Sequence, residues 1–420
     1  MHDSDKQFLA GLFQAAVAAA DPMLVLAGHL PVRPKGRVVV IGAGKGAAQL
    51  AAAFEQLWQG PISGVVVTRY GYGAACRHIR VIEAAHPVPD EASLAGAEAL
   101  MQAVRGLGSD DLVVALICGG GSALLAAPPE GLELGDEAAL NAALLASGAP
   151  IGAMNAVRKQ VSRIKGGRLA AMAAPARVVS LIVSDVPGDD PAQVASGPTV
   201  PDGVGRAEAL AAVRDYGIVL PDRVATFLRD APQDAPDPSD AMFAGNQVVV
   251  IASAAQSLEA AAKVAEQAGI SAVILSDAIE GEARDIGRMH AAMAQEVARR
   301  ARPFKPPVVM LSGGETTVTL RGKGRGGRNT EFLLAFAVAV EGVEGIAALA
   351  ADTDGIDGSE DNAGAYADGG SAARMRAAGI DPATALAGND AHSAFAAVGD
   401  LFTTGPTGTN VNDFRAILIR

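Results

Sequence analysis

The segment Leu311 to Ala337, LSGGETTVTLRGKGRGGRNTEFLLAFA, gathers residue types that suit anions. An apolar strand pattern ends at Ser-Gly-Gly-Glu, which leaves Glu315 at its edge. Glycines at 322, 324, 326 and 327 then alternate with Arg321, Lys323, Arg325 and Arg328, and a helical pattern begins near Asn329. Glycine lets a backbone approach a ligand closely, and a guanidinium meets carboxylate or phosphate with two parallel donors. A helix start adds free N–H groups and the positive end of the helix dipole. The plain alternative is a solvated loop that binds nothing.

Two further glycine turns follow apolar strand patterns. IGAGKGAAQ, Ile41 to Gln49, satisfies the permissive dinucleotide fingerprint through Gly42, Gly44 and Ala47. No acid is placed after the next strand for a ribose hydroxyl; Arg69 stands there and could meet an NADP phosphate. Lys45 is the unusual element, a cation at the tip of a turn that aims into the crevice where open α/β sheets bind ligands. A Walker A motif is absent. CGGGSALL repeats the arrangement, and Gly119, Gly120, Gly121 and Ser122 could present consecutive N–H groups as an anion nest. Its alternative is an ordinary turn with Ser122 as helix cap.

Carboxylates follow other strands. Asp185 and Asp189 in SDVPGDDP are candidates for a general base or a Mg2+ ligand, against the common use of Asp in turns. In DTDGIDGSED, Asp354 is a candidate for Mg2+ or nucleotide contact; the EF-hand spacing fails because Ile356 stands where a ligand belongs. VRKQVSRIKGGRLA carries Arg158, Lys159, Arg163, Lys165 and Arg168, which cannot share one helical face, so most are expected in solvent. Gly166-Gly167 interrupts that helix pattern. No Ser-His-Asp arrangement is legible, and His86 in HPVPDEAS is the histidine best placed to touch an anion.

The elements that carry these residues alternate. Strand patterns at Arg37–Ile41, Gly64–Thr68, Leu112–Ile117 and Val178–Ser184 are separated by helical spacing at Ala47–Leu57, Glu91–Arg105 and about Met154–Met172. APQDAPDPSD, at 231–240, reads as a connection. The alternation restarts at Gln247–Ala252, a helix to about Ala268, Ala272–Ser276, Val308–Leu311 and Gly345–Ala351, and the tail ends in a strand. Apolar runs alternating with helices predict α/β domains with parallel strands. The 420 residues carry a net charge of -12, which argues against nucleic acid or an anionic membrane as partner. Two cysteines without a C-x-x-C motif, and no signal-peptide pattern, predict a reduced cytoplasmic setting. No apolar run approaches the roughly 20 residues that span a bilayer.

Taken in order, VIGAGKGA, HPVPDEAS, CGGGSALL, NAVRKQVSRIKGGRLA, SDVPGDDPAQVASGPT, SGGETTV with GRGGRNTE, and DTDGIDGSEDNAGAYAD resemble the class II glycerate kinases over nearly the whole chain. The resemblance implies a Rossmann-like parallel-sheet N-terminal domain at 1–235 and a C-terminal α/β domain at 241–420. The latter would contain a MOFRL region at about 305–415, with a cleft between the domains. It implies transfer of the ATP γ-phosphoryl group to D-glycerate with Mg2+, at the 2-hydroxyl. The family's active-site Lys falls on Lys45 and its Arg on Arg328, with Arg325 less certain. Asp189, then Asp185, would bind metal or orient the attacking hydroxyl. Gly44, Gly119–Ser122, Arg158 and Lys165 would bind substrate or phosphate, and Glu315, Asn329 and Asp354 would face nucleotide and metal. Partners would be glycerate and nucleotide, with the oligomeric state, homodimer included, left open. Related sequences often carry the label hydroxypyruvate reductase, so an NAD(P)H-dependent reductase is the alternative.

Overall fold

Apolar strand runs and Ala/Leu-rich helices fold into two α/β units, Pro22–Ile251 and Met1–Asp21 with Ala252–Arg420. The computed structural model describes residues 1–230 and 234–420. The expected connection at 231–240 therefore lies partly outside the described residues.

The first sheet contains β1 (Val38–Ala43), β2 (Ser63–Arg69), β3 (Ile79–Ala84), β4 (Leu112–Cys118), β5 (Arg177–Val183) and β6 (Gln247–Ala252). Its order is β3-β2-β1-β4-β5-β6, and β1 through β5 pair in parallel. Every residue of β1 and β4 is buried, as for strands covered on both faces. The chain runs outward from β1 to β3, then returns to the other side of β1 with β4. That reversal makes a topological switch point between β1 and β4, where open sheets leave a crevice at the strands' carboxyl ends.

Helix Glu91–Val104 shows how local sequence builds this layer. Asp90 caps it by accepting from the Ser93 N–H at 3.0 Å, while the Asp90 N–H donates to Ser93 Oγ at 3.2 Å. Such a cap stabilises by about 1 kcal/mol. The helix then buries Ala97, Leu100, Met101 and Val104, one face at helical spacing. The single helix expected over Met154–Met172 is two, Ile151–Gln160 and Arg168–Ala173. Gly167, at φ +81°, forces the break: a Cβ there would stand 2.7 Å from Pro201 Cβ.

The second unit contains β7 (Ser271–Ser276), β8 (Gly281–Glu282), β9 (Val308–Gly314), β10 (Thr316–Thr317), β11 (Ile346–Asp352), β12 (Gly364–Asp368), β13 (Leu401–Phe402) and β14 (Asp413–Ile419). The main sheet has the order β13-β12-β11-β14-β9-β7, and β8 pairs with β10. Here the expectation of parallel strands gives way: in the main sheet β7 with β9 is parallel and the other four pairings are antiparallel, while the short β8–β10 pair is parallel. A strand covered on both faces is apolar in either direction, so composition carries no sign of strand sense. Helix Arg328–Ala339 is buried from Asn329 to Ala337.

The N-terminal helix Asp3–Ala18 joins this second unit rather than the one that follows it in the chain. Its Leu9, Leu12, Phe13 and Ala16 enter the core beside β14, and the Phe13 ring packs edge-on to Phe402 and Phe414 at 5.1 and 5.8 Å. The sequence division at 235 and 241 followed chain order, which cannot register such a return. No helix among the described residues is long and apolar enough to cross a membrane.

Candidate active site

The β1 turn closes tightly on the β4 turn. The Lys45 N–H donates to the Gly119 carbonyl at 2.8 Å, the Gly46 N–H to Cys118 Sγ at 3.2 Å, and Thr68 Oγ1 to the Lys45 carbonyl at 3.0 Å. Gly44, at φ +131°, has room for nothing larger, because a Cβ would lie 2.3 Å from the Cys118 carbonyl oxygen. Burial pushes the Cys118 thiol up to about 12, so it stays protonated and serves as packing.

Side chains converge on the glycines of the β4 turn. A Cβ on Gly120 would meet His86 Nε2 at 3.1 Å and Lys45 Cγ at 3.2 Å, and one on Gly119 would overlap the Asp185 carboxylate. Lys45, His86 and Asp185, from the ends of β1, β3 and β5, thus surround Gly119 and Gly120 at the switch point. Asp189 lies in the turn after Asp185 at φ +54°, and its carboxylate makes no hydrogen bond among the described residues.

Ser122 begins a different connection. Its Oγ lies 2.8 Å from Ser196 Oγ, which is 2.9 Å from Asn155 Oδ1. Arg158 Nη1 donates to the same Oδ1 at 3.2 Å, and its Nε to Asn141 Oδ1 at 3.0 Å. Burial lowers the Arg158 pKa from its ordinary value. Of the other cations of this cluster Arg163 is partly exposed, pairing with Glu98 at 3.2 Å, but Lys159, Lys165 and Arg168 are not solvated, contrary to the sequence expectation. Lys165 is fully buried in an ion pair with buried Glu137, and Lys159 is fully buried against Asp202. Arg168 donates to the Lys159 carbonyl and to the Lys165 carbonyl at 3.2 Å. The Gly166-Gly167 turn folds these long stems inward, where only pairing keeps a charge tolerable.

In the second unit the focus is Arg328, the first residue of its helix. It donates from Nε to Asp413 at 2.6 Å, from Nη2 to Asp352 at 2.7 Å and from Nη1 to Glu315 at 2.8 Å. Asp352 and Asp413 stand directly opposite in the β11–β14 register, and like charges so placed repel. The guanidinium between them offsets that repulsion, and Arg415 pairs with the far oxygen of Asp413. Burial, with Asp354 and Asp413, holds Asp352 well above the usual carboxylate range despite Arg328. Burial also opposes ionisation of Asp413, but Arg328 and Arg415 outweigh it, so Asp413 is lowered. Glu315 is the exposed member, with 52% of its side chain accessible against 9% and 0% for Asp352 and Asp413.

Neighbouring residues hold this group. Asp357 caps the helix by accepting from the Asn329 and Thr330 N–H groups at 2.9 and 2.8 Å. Asn329 Nδ2 reaches Asp413 at 2.9 Å, and Asp354 accepts from the Ile356 N–H at 2.9 Å. Arg325 turns away to Glu360. Asp352, Asp413, Glu137, Asn155 and Ser196 were not singled out from sequence. Asp352 opens the quoted acidic run, and the signal for Asp413 is an acid starting an otherwise apolar terminal strand.

These residues fit Mg2+ and nucleotide phosphate in kind. Mg2+ usually takes one or two carboxylates plus phosphate oxygens. Asp185 and Asp189 supply that number, and the Asp185 carboxylate lies directly against Gly119, in the place a Cβ would take. Among the described residues no group of three or more His, Cys, Asp or Glu forms a ready-made cage.

A parallel sheet with glycine turns at its switch point, one of them bearing Lys45, and a second, mixed sheet define a two-unit α/β protein. Residues 8–229 match the model of a domain of unknown function (DUF4147), and 308–413 match the MOFRL family. A relative from Agrobacterium vitis bearing a provisional hydroxypyruvate reductase name is 53% identical, across 99% of this chain and 95% of its own. The glycerate 2-kinase of Pyrococcus horikoshii is 40% identical over 94% of this chain and 90% of its own. The crystal structure of a glycerate kinase from Thermotoga maritima superposes with a TM-score of 0.89 at 37% identity, covering 100% of both chains. The chain belongs to the glycerate kinase family in which these two domains are joined.

Proposed function

We propose that this protein phosphorylates D-glycerate from ATP with Mg2+, at the 2-hydroxyl. The observation that carries this reading is Lys45 packed on Gly120 at the sheet's switch point, in a chain whose full length resembles a solved glycerate kinase. Bound ATP supplies the γ-phosphoryl group, and Mg2+ neutralises phosphate charge. The protein's share is positioning and charge compensation. Lys45 meets the charge that grows on the transferring group. The Gly119–Gly121 N–H groups hold anionic oxygens. Asp189, with Asp185 beside it, orients the attacking hydroxyl and takes its proton as the new O–P bond forms and the β–γ bridging bond breaks.

Arg328 is the cation of the second unit assigned to phosphate or carboxylate charge, and Asp352 and Asp413 keep its guanidinium in place. Asn329 and Asp354 support the nucleotide side, and Arg325 steadies the loop through Glu360. Arg158 connects to Ser122 through Asn155 and Ser196, and Lys165 pairs with Glu137, which accepts from the Ala127 N–H at 3.0 Å, so both support the glycine turn from behind. We infer a cytoplasmic setting from the acidic charge and the two free thiols.

The reductase alternative draws on the Agrobacterium name and the fingerprint at Gly42. Packing accounts for those glycines without a dinucleotide: a Cβ on Gly42 would lie 2.5 Å from the Leu116 carbonyl oxygen, and Gly44 is pressed on Cys118. The test is ADP release with D-glycerate and Mg2+, resolving 2- from 3-phosphoglycerate, beside NADH and NADPH oxidation with hydroxypyruvate. We expect ADP and 2-phosphoglycerate. ATP-independent reduction without ADP release overturns the kinase reading.

A further inference from the structure

The proton of the Ser122 hydroxyl has a fixed destination. Buried Asn155 donates from Nδ2 to the Gln193 carbonyl at 3.1 Å and accepts at Oδ1 from Arg158 Nη1 at 3.2 Å. A carbonyl only accepts and a guanidinium only donates, so the Asn155 amide cannot be turned over. Ser196 Oγ, 2.9 Å from that Oδ1, must therefore donate to it. A hydroxyl has one proton, so the 2.8 Å contact between Ser122 and Ser196 is made by the proton of Ser122.

The backbone is committed to this arrangement. Ala195 and Ser196 are held at φ +54° and +60°, a conformation non-glycine residues rarely adopt. Ala195 Cβ would lie 2.6 Å from a Cβ on Gly121, which leaves the 195–196 segment no slack against the glycine turn.

Ser122 consequently turns lone pairs toward its open side, where it is half-buried. An ionised phosphate or carboxylate oxygen has no proton to give it. A divalent cation would also take these lone pairs, and titration with and without Mg2+ separates it from a hydroxyl. A hydroxyl brings a proton without a charge. We propose that Ser122 accepts a hydrogen bond from a hydroxyl of the hydroxy-acid substrate, and that the buried chain Arg158–Asn155–Ser196 fixes it in that role. Ser122 is then a specificity residue, and Asn155 a positioning residue. This rests on glycerate being the substrate, and it gives the Ser122 side chain a role separate from the backbone N–H groups that sequence offers as an anion nest.

Calorimetric titration of D-glycerate, D-lactate and 3-hydroxypropionate, with and without Mg2+, tests it. D-lactate lacks the 3-hydroxyl and 3-hydroxypropionate lacks the 2-hydroxyl, while all three acids share the carboxylate. Ser122→Ala is expected to weaken glycerate about tenfold, roughly 1.4 kcal/mol. It leaves unchanged the analogue that lacks the contacted hydroxyl, so discrimination between the two disappears. Asn155→Ala, which frees Ser196 to turn, lowers the same ratio at constant affinity for that analogue. Equal loss for all three acids means Ser122 donates to the carboxylate, and loss confined to Mg2+ means it ligates metal; either overturns the proposal, as does unchanged glycerate binding. A wild-type protein that binds none of the acids overturns the substrate reading along with it. Uniform loss in a wild type that does bind glycerate overturns the role of Ser122 alone.

Discussion

The Lys45 N–H and the Gly119 carbonyl, 2.8 Å apart, join two glycine turns that lie far apart in the chain. The turn holding the cation cannot shift without the turn offering N–H groups, so the ammonium and the anion cradle keep a fixed relation. The Lys45 ammonium itself makes no hydrogen bond among the described residues, which separates its chemistry from its support.

Lys45→Met is therefore expected to melt like wild type yet lose turnover. Removing one donor from a developing oxyanion costs on the order of 2.7–4 kcal/mol, roughly 10²–10³ in kcat. Steady-state kinetics beside thermal melting decide the matter. A well-folded variant retaining more than about a tenth of the rate, a loss of only ~1.4 kcal/mol, takes Lys45 out of the site.

Lys165 and Glu137 form a buried pair, so their worth shows in stability. Lys165→Met leaves Glu137 buried and uncompensated and should cost about 3–5 kcal/mol. The Lys165→Met, Glu137→Leu double variant should recover most of it, because two apolar residues carry no desolvation penalty. Urea denaturation reads both, and a single variant as stable as wild type refutes the structural role.

Arg328 combines both kinds of role. Arg328→Lys retains charge but loses the planar fork that spans Asp413, Asp352 and Glu315, so kcat and stability should fall together. Glu315→Gln alters only the exposed arm and should stay within about 0.5 kcal/mol of wild type. Melting curves separate the two variants. If Arg328→Lys melts as wild type, the guanidinium is not what reconciles the two facing aspartates.

Acid sensitivity should trace in part to His290. Burial lowers it to about 4, Arg415 adds to the shift, and its ring nitrogens sit 2.9 Å from the Ile286 carbonyl and 3.0 Å from Ser312 Oγ. An unfolded histidine titrates near 6.5. Between about pH 6.5 and pH 4 the unfolded chain takes up a proton that the folded one refuses, so stability falls by up to ~1.4 kcal/mol per pH unit, and this contribution is flat outside the window. His290→Gln should flatten the stability slope over that window by about one proton. Identical slopes in the two proteins would assign acid sensitivity elsewhere.

Sequence alone determined the α/β class, most strand and helix positions in the first unit, and the glycine turns bearing Lys45, Gly119–Ser122 and Arg328. These follow from local causes: apolar runs, helical spacing and glycines where the backbone must bend or make room. Tertiary structure decided what no local pattern encodes. The sense of the strands in the second sheet, the return of helix Asp3–Ala18 to the C-terminal unit, and the partners of the long cations all depend on which segments meet. Spacing gives no sign of the partners of Lys165 and Arg158, the Glu137 carboxylate and the Asn155 amide oxygen, because folding supplies them. The hydroxyl of Ser122 is the sharpest case. Its residue type allows donor or acceptor, and the Gln193 carbonyl and the Arg158 guanidinium, acting through Asn155 and Ser196, fix which it is.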